Sequence, residues 1–221
     1  MRIVIISDSL GLPRPHVAPR ERTEYEDVYG YRLRRKLRCR AEVEICYFIS
    51  LDTDVALRKA ECQIGFRRPD IVILHLGIND CAPRVFKRGS RFIIFRPWFP
   101  PLGRHLVLGF VHRYRGFLTR YVFRGRVYVP ESRFRDNLLG IMDKVYPYSP
   151  HCQFFALSIA QTRTEVDQRS YGFNTNVARY NAILREVFGG NYVDLNTLLG
   201  GDPETCLISD GIHLTRHPMP R

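Results

Sequence analysis

The chain is poor in the arrangements that build metal centres and disulfide frameworks. Its six cysteines (39, 46, 62, 81, 152 and 206) are scattered over 221 residues, with no C-x-x-C pair and no Cys/His cluster at metal-ligand spacing. That excludes a zinc-ribbon reading and points to reduced thiols. No apolar run approaches the roughly 20 residues that cross a bilayer as a helix. The opening "MRIVIIS" is too short for the apolar region of a secretory signal, and no small-residue cleavage site follows it. No repeat or low-complexity run is present. The expected setting is cytoplasmic, with contact at the inner face of the membrane left open by one segment.

That segment stands out by what it lacks. Residues 84–130 contain no Asp or Glu, yet hold ten Arg and Lys87, which account for eleven of the twelve net positive charges of the chain. Lysine is scarce everywhere: four of the 34 basic residues are Lys (36, 59, 87, 144) and 30 are Arg. The rest of the chain is nearly neutral, so the basic character belongs to an insertion and not to the fold that carries it. The reading is one domain over 1–221 with a basic aromatic insertion at 84–130.

Outside the insertion, strand and helix patterns alternate. "RIVIIS" (2–7), "AEVEICYFIS" (41–50), "PDIVILHLG" (69–77), "CQFFALSI" (152–159) and "NYVDL" (191–195) read as strands. Near-continuous apolar runs such as 69–77 suit parallel strands covered on both faces. Helices are expected at 24–38 (with a Thr23/Glu26 capping box), 53–65, 131–146 and 174–188. This alternation predicts an α/β domain with a mainly parallel sheet of about five strands.

In such sheets ligands bind beyond the carboxyl ends of the strands. The first strand ends in Ser7, Asp8 and Ser9, the third in "GIND" (77–80), and "SDGIHL" near the C-terminus puts Asp210 three residues before His213. A serine hydroxyl needs a base to take its proton, an imidazole titrates near neutrality, and a carboxylate on the far ring nitrogen fixes the tautomer. The oxyanion formed on attack needs donors, for which the Asn79 amide and the Ser9 N–H are candidates. Taken singly, a serine at a strand end, a "GIND" turn and a D-x-x-H spacing are ordinary turn features; their combination in this order is what points to catalysis.

That combination resembles the SGNH (GDSL-like) hydrolase family. "SDSL" (7–10) is similar to its G-D-S-L block with Ser7 in place of glycine, "GIND" matches G-x-N-D, and "DGIH" (210–213) matches D-x-x-H. The resemblance implies a flavodoxin-like three-layer sandwich with Ser9 as nucleophile, His213 as base, Asp210 as its orienter, Asn79 and the Ser9 N–H as the oxyanion hole, and no cofactor. Asp8, Asp80, Arg84 and Trp98 are further candidates for substrate contact. Three departures stand beside it. "ISLDTDVAL" (49–57) lacks the second-block glycine, so a backbone N–H between Ser50 and Thr53 is expected to substitute. The loop after Ser9 is long and Pro-rich. Eight residues follow His213, where the family commonly continues into a closing helix.

The insertion interleaves eleven aromatics with its eleven positive charges. Residues 104–123 suit an amphipathic helix with Val107, Phe110, Val111, Tyr114, Phe117, Leu118 and Tyr121 on one face and His105, Arg113, Arg120 and Arg124 largely on the other. The bland account is a helical cap packed over the site; the functional one is a surface for an anionic membrane or an acidic glycan. Nucleic acid is disfavoured, since no RNP, zinc-finger or helix-turn-helix signature is present. His75 reads as a core histidine held by a backbone carbonyl, and His217 as uninformative.

The expected activity is that of a serine esterase removing O-acyl groups, O-acetyl in the first place, from a small-molecule or glycan ester through an acyl-enzyme on Ser9. The alternatives are an O-acyltransferase using the same triad and a non-catalytic binding protein on a degenerate hydrolase scaffold.

Overall fold

The computed structural model describes residues 1–89, 96, 100–198, 200 and 203–215. Five strands, β1 (Arg2–Ser7), β2 (Glu42–Tyr47), β3 (Ile71–His75), β4 (Gln153–Leu157) and β5 (Tyr192–Val193), form one parallel sheet in the order β2-β1-β3-β4-β5. The chain moves outward from β1 to β2 and then returns past β1 to β3. The reversal makes the gap between the carboxyl ends of β1 and β3 the switch point where ligands bind in such sheets. The "SDSL" and "GIND" segments leave the sheet from those two neighbouring strands.

Alternation along β1 assigns the two faces. Val4 and Ile6, with Val72, Leu74, Phe154 and Ala156, pack against α2 (Thr53–Gln63), α5 (Glu131–Val145) and α7 (Phe173–Phe188). Ile3 and Ile5, with Val43, pack under Leu33 and Leu37 of α1 (Tyr29–Leu37). Helices on both faces give the three-layer α/β sandwich. Phe134 of α5 is fully buried against the Tyr180 ring at 4.9 Å between centroids, so its truncation to Ala should cost about 3–5 kcal/mol. On α7, buried Asn181 accepts the Ile159 N–H at 2.8 Å and donates to the Ile159 carbonyl at 2.9 Å, which fixes the chain as it leaves β4.

Several sequence expectations need correcting at their boundaries. The first helix does not start at residue 24. A 3₁₀ turn (Tyr25–Asp27) comes first, boxed by Glu24 and Asp27, and α1 begins at Tyr29. Thr23 is unavailable as its cap because its hydroxyl and carbonyl both accept the Arg14 N–H, at 2.8 and 2.9 Å. β1 spans Arg2–Ser7 as expected, whereas β2 to β5 are shorter than their apolar runs, β5 being cut to Tyr192–Val193.

The insertion differs more. Its helix, α4 (Pro101–Phe117), continues as one π-type turn (Leu118–Val122), and the apolar stripe expected to pack is split between two sides. Leu118 is buried and Val107 and Val111 are half-buried, whereas Phe110, Tyr114, Phe117 and Tyr121 face solvent beside Arg113, Arg120 and Arg124. Inward anchoring comes from Arg115, which donates to the Pro83 carbonyl at 2.9 Å and the Ser170 hydroxyl at 2.7 Å. Arg88 pairs with Asp52 and Asp54 at the start of α2, at 2.6 and 2.8 Å. Among the described residues no helix is long and apolar enough to cross a membrane.

Candidate active site

Ser9 sits just past β1, first in a 3₁₀ turn (Ser9–Gly11) whose cap is Asp8; one Asp8 oxygen accepts the Leu10 N–H at 2.9 Å. Asp8 is in turn held to β3 by its own N–H, which donates to the His75 carbonyl at 3.2 Å. The nucleophile candidate therefore stands on a turn braced from both strands of the switch point.

The base comes from the other end of the chain. Residues 207–214 close a tight turn, bridged Leu207 to Leu214, in which Gly211 has φ +71°. A Cβ there would lie 2.5 Å from Val166 Cγ2, so both backbone and space demand glycine. The turn carries Asp210 and His213 to the sheet. His213 Nε2 lies 3.2 Å from Ser9 Oγ, and His213 Nδ1 lies 2.6 Å from Asp210 Oδ2. The other Asp210 oxygen accepts the Ile212 and His213 N–H groups at 2.9 and 3.0 Å. Partial burial pushes the Asp210 pKa up, but these bonds outweigh it and hold the carboxyl at about 2. An ionised Asp210 keeps the imidazole proton on Nδ1 and leaves the Nε2 lone pair facing Ser9. The structure brings together Ser9, His213 and Asp210 as a hydrogen-bonded chain.

Asn79 belongs to α3 (Ile78–Cys81), which starts from Gly77 at φ +123°; a Cβ on Gly77 would lie 2.5 Å from Ile159 Cδ1. The Asn79 amide nitrogen donates one N–H to the Leu51 carbonyl at 3.1 Å, and the side chain is near enough to Asp8 to work against the rise in its pKa. The missing second-block glycine has a structural answer. Ser50 adopts the left-handed conformation itself, at φ +56°, and turns the chain into α2. Of the N–H groups expected to stand in for that glycine, the one on Thr53 is committed to Asp80 at 2.9 Å, which narrows the choice to Ser50, Leu51 and Asp52.

Of the other candidates, Asp8 and Asp80 are fully buried, one oxygen of each accepting backbone N–H groups of Leu10 and Thr53. Burial lifts the Asp8 carboxyl to about 8, against the Leu10 bond and the Asn79 side chain. Burial likewise lifts Asp80 to about 7, although Thr53 donates to it from both N–H and hydroxyl, at 2.9 and 2.5 Å. Arg84 points inward: it donates to the Asn79 carbonyl at 3.1 Å and stacks 4.1 Å from the Tyr128 ring centroid, with its pKa lowered by burial. It positions the Asn79 turn. Trp98 and His217 lie outside the described residues. His75 is buried as expected, but its Nδ1 meets the Tyr29 hydroxyl at 3.3 Å instead of a carbonyl, and burial lowers its pKa to about 4.

One functional residue was not anticipated. Arg14, in the long loop after Ser9, donates from Nη2 to the Ser9 carbonyl at 3.0 Å, and the same nitrogen contacts His213 Nε2. The one signal for it in the sequence is the unusual length of that loop.

At the level of sequence, no family model and no curated protein matches the chain. Solved structures do match in fold. A lipase/acylhydrolase from Enterococcus faecalis superposes with a TM-score of 0.60 at 15% identity, over 97% of this chain and 88% of that one. An acetyl-xylooligosaccharide esterase from Geobacillus gives 0.57 at 13% identity, over 98% and 88%. The esterase EstA from Pseudoalteromonas gives 0.52 at 12% identity, over 97% and 88%. At these identities the likeness is one of fold, and it extends over almost the whole chain.

Proposed function

We propose that this protein is an SGNH-type serine hydrolase that removes O-acyl groups, O-acetyl in the first place, from a carbohydrate or small-molecule ester. The observation that carries this is the chain Ser9 Oγ–His213 Nε2–Asp210, with contacts of 3.2 and 2.6 Å at the carboxyl edge of a parallel sheet. The acetyl-xylooligosaccharide esterase among the fold neighbours supports the substrate class.

In this reading Ser9 Oγ attacks the ester carbonyl while His213 Nε2 takes the hydroxyl proton. The tetrahedral oxyanion is met by the Ser9 N–H and the Asn79 amide. A neutral Asp8 competes only weakly for the Asn79 N–H, which frees it for the oxyanion. Each such donor is typically worth about 2.7–4 kcal/mol in the barrier. The imidazolium passes its proton to the departing alkoxide, leaving acyl-Ser9. Water, deprotonated by His213, then releases the carboxylic acid and restores the serine. If a sugar hydroxyl replaces water, the same steps transfer the acyl group.

Labelling with a fluorophosphonate, comparing wild type with Ser9→Ala, tests the nucleophile. Ser9→Ala and His213→Ala should each lower ester turnover on the order of 10⁴-fold or more, with the double variant little worse, because such residues act as a unit. Labelling that survives in Ser9→Ala would overturn the reading. A high ratio of transfer to hydrolysis with a sugar acceptor would favour the acyltransferase. Absence of labelling and turnover in the wild type would favour a binding protein.

A further inference from the structure

The neutral His213 ring offers a single in-plane lone pair at Nε2, and two donors compete for it. One is the Ser9 hydroxyl that must use it for catalysis; the other is the Arg14 guanidinium. Arg14 Nε is itself buried without a hydrogen-bond partner, and burial lowers the pKa of the side chain. The backbone of Arg14 is pinned by a two-way bridge to Thr23, at 2.9 and 3.3 Å, so only the side chain is placed to move. A guanidinium with an unmet donor beside a nucleophile is well suited to a carboxylate or phosphate oxygen, which it can bind through paired N–H groups.

We propose that Arg14 is a latch that reads substrate charge. Resting, it occupies the His213 lone pair; an anionic group next to the scissile ester draws it off and frees the base for Ser9. The preferred substrates are then acyl esters that carry a carboxylate or phosphate close to the ester. This rests on the serine-hydrolase reading and narrows its substrate class.

The test compares 4-nitrophenyl acetate with 2-acetoxy-5-nitrobenzoate, which sets a carboxylate beside the same acetyl ester. In Arg14→Gln, kcat/KM should fall about 10- to 100-fold on the anionic ester, the scale of one charged hydrogen bond, while rising several-fold on the neutral one. Arg14→Lys should recover part of the anionic preference without the paired geometry. Equal losses on both esters, or no change on either, would overturn the latch. A fluorophosphonate separates the two readings: if Ser9 labels in wild type and variant at the same rate and ester preference is unmoved, the latch alone fails. If neither protein labels, the hydrolase reading fails and takes the latch with it.

A second, independent observation concerns α4. Leu102, Leu106, Phe110, Tyr114, Phe117 and Tyr121 are 49–72% exposed along the outer side of α4, which kinks at Tyr114, and of its π turn, interleaved with exposed Arg113, Arg120 and Arg124. A lone exposed apolar residue needs no account, but a continuous stripe does. Rings alone would suit sugars or single-stranded nucleic acid, by stacking. The aliphatic Leu102 and Leu106 gain nothing from stacking, whereas acyl chains beneath anionic headgroups would bury them with the arginines left at the headgroups.

We infer that the outer side of α4 docks on an anionic bilayer, with the Leu and aromatic side chains inserted and the arginines at the headgroups. Co-sedimentation should show binding to phosphatidylcholine vesicles containing phosphatidylglycerol, weakening as salt rises, and little binding to phosphatidylcholine alone. Replacing Arg113, Arg120 and Arg124 by Gln should weaken binding on the order of 100-fold. Leu102→Ser with Leu106→Ser should weaken it while leaving the circular dichroism unchanged, since both side chains face solvent. Equal behaviour of all three proteins, or binding to oligonucleotides with none to vesicles, would overturn the assignment.

Discussion

Glu21 holds Ser209 with both oxygens, accepting its N–H at 2.9 Å and its hydroxyl at 2.7 Å. Ser209 immediately precedes Asp210, so the loop that follows Ser9 clamps the turn that carries His213. Glu21→Ala should loosen the register between Ser9 and His213 without exposing any core. Misplacement by a fraction of an ångström is costly to proton transfer, so kcat should fall about tenfold. The melting temperature should stay within about 2 °C, because surface contacts of this kind add little stability. A large loss of stability with unchanged kcat would show that the clamp serves the fold and not the site.

Gly211 offers a sharper test of the same turn. Alanine there meets a left-handed backbone, which costs a non-glycine residue about 1–2 kcal/mol, and a Cβ 2.5 Å from Val166 Cγ2. Gly211→Ala should therefore lower both stability and kcat. Adding Val166→Ala removes the closest clash but leaves Arg163 Cβ at 3.1 Å and the backbone cost, so the double variant should recover only part of the activity. Full recovery would show that φ at residue 211 is not limiting.

The fold and the meeting of Ser9, His213 and Asp210 were legible because each is written locally. Apolar runs that end in "SDSL" and "GIND" mark strand ends, and strand ends are where this sheet type keeps its chemistry. Asp210 and His213 are three residues apart, close enough for their contact to be local. Arg14 was not legible, since its position depends on Thr23 and Glu21 holding a long loop across the site. The orientation of α4 was hidden for another reason. Apolar residues occupy more than one side of that helix, so periodicity cannot say which side turns inward. That choice falls to Arg115, anchored on Pro83 and Ser170, a polar contact that no hydrophobic pattern reports. Likewise nothing in the sequence marks Ser50 as a left-handed residue at φ +56°.

Ser50 carries that conformation at φ +56° against its own preference. Ser50→Gly removes the strain, partly offset by the greater freedom of glycine in the unfolded chain. The net gain should be about 0.5–1 kcal/mol, or about 2 °C in melting temperature for a chain of this size. Because Leu51 and Asn79 are bonded next to it, kcat should be unchanged or higher. A fall in stability would mean that the Ser50 side chain contributes more than its backbone costs.

Asp8 links stability and catalysis through one titration. Burial raises its carboxyl to about 8 and that of Asp80 to about 7, whereas both would ionise near 4 in the unfolded chain. Between those values the native state holds more protons than the unfolded one, so stability falls as pH rises. His75 acts in the opposite sense: burial lowers it to about 4, and its contribution grows with pH until the unfolded ring loses its proton near 6.5. Above that point only the carboxylates remain. Between about pH 6.5 and 8, while native Asp8 still holds its proton, the wild type should lose on the order of 1 kcal/mol per pH unit, seen as a drop of about 2–4 °C in melting temperature, and the loss should level off once Asp8 ionises. Asp8→Asn keeps an oxygen to accept the Leu10 N–H but cannot ionise, so its melting temperature should fall less between pH 6.5 and 8. The same titration reaches the oxyanion hole, because an ionised Asp8 draws the Asn79 N–H away from the substrate. Wild-type kcat should therefore decline above about pH 8 while that of Asp8→Asn stays level. Parallel declines of stability and kcat in both proteins would place the responsible group elsewhere.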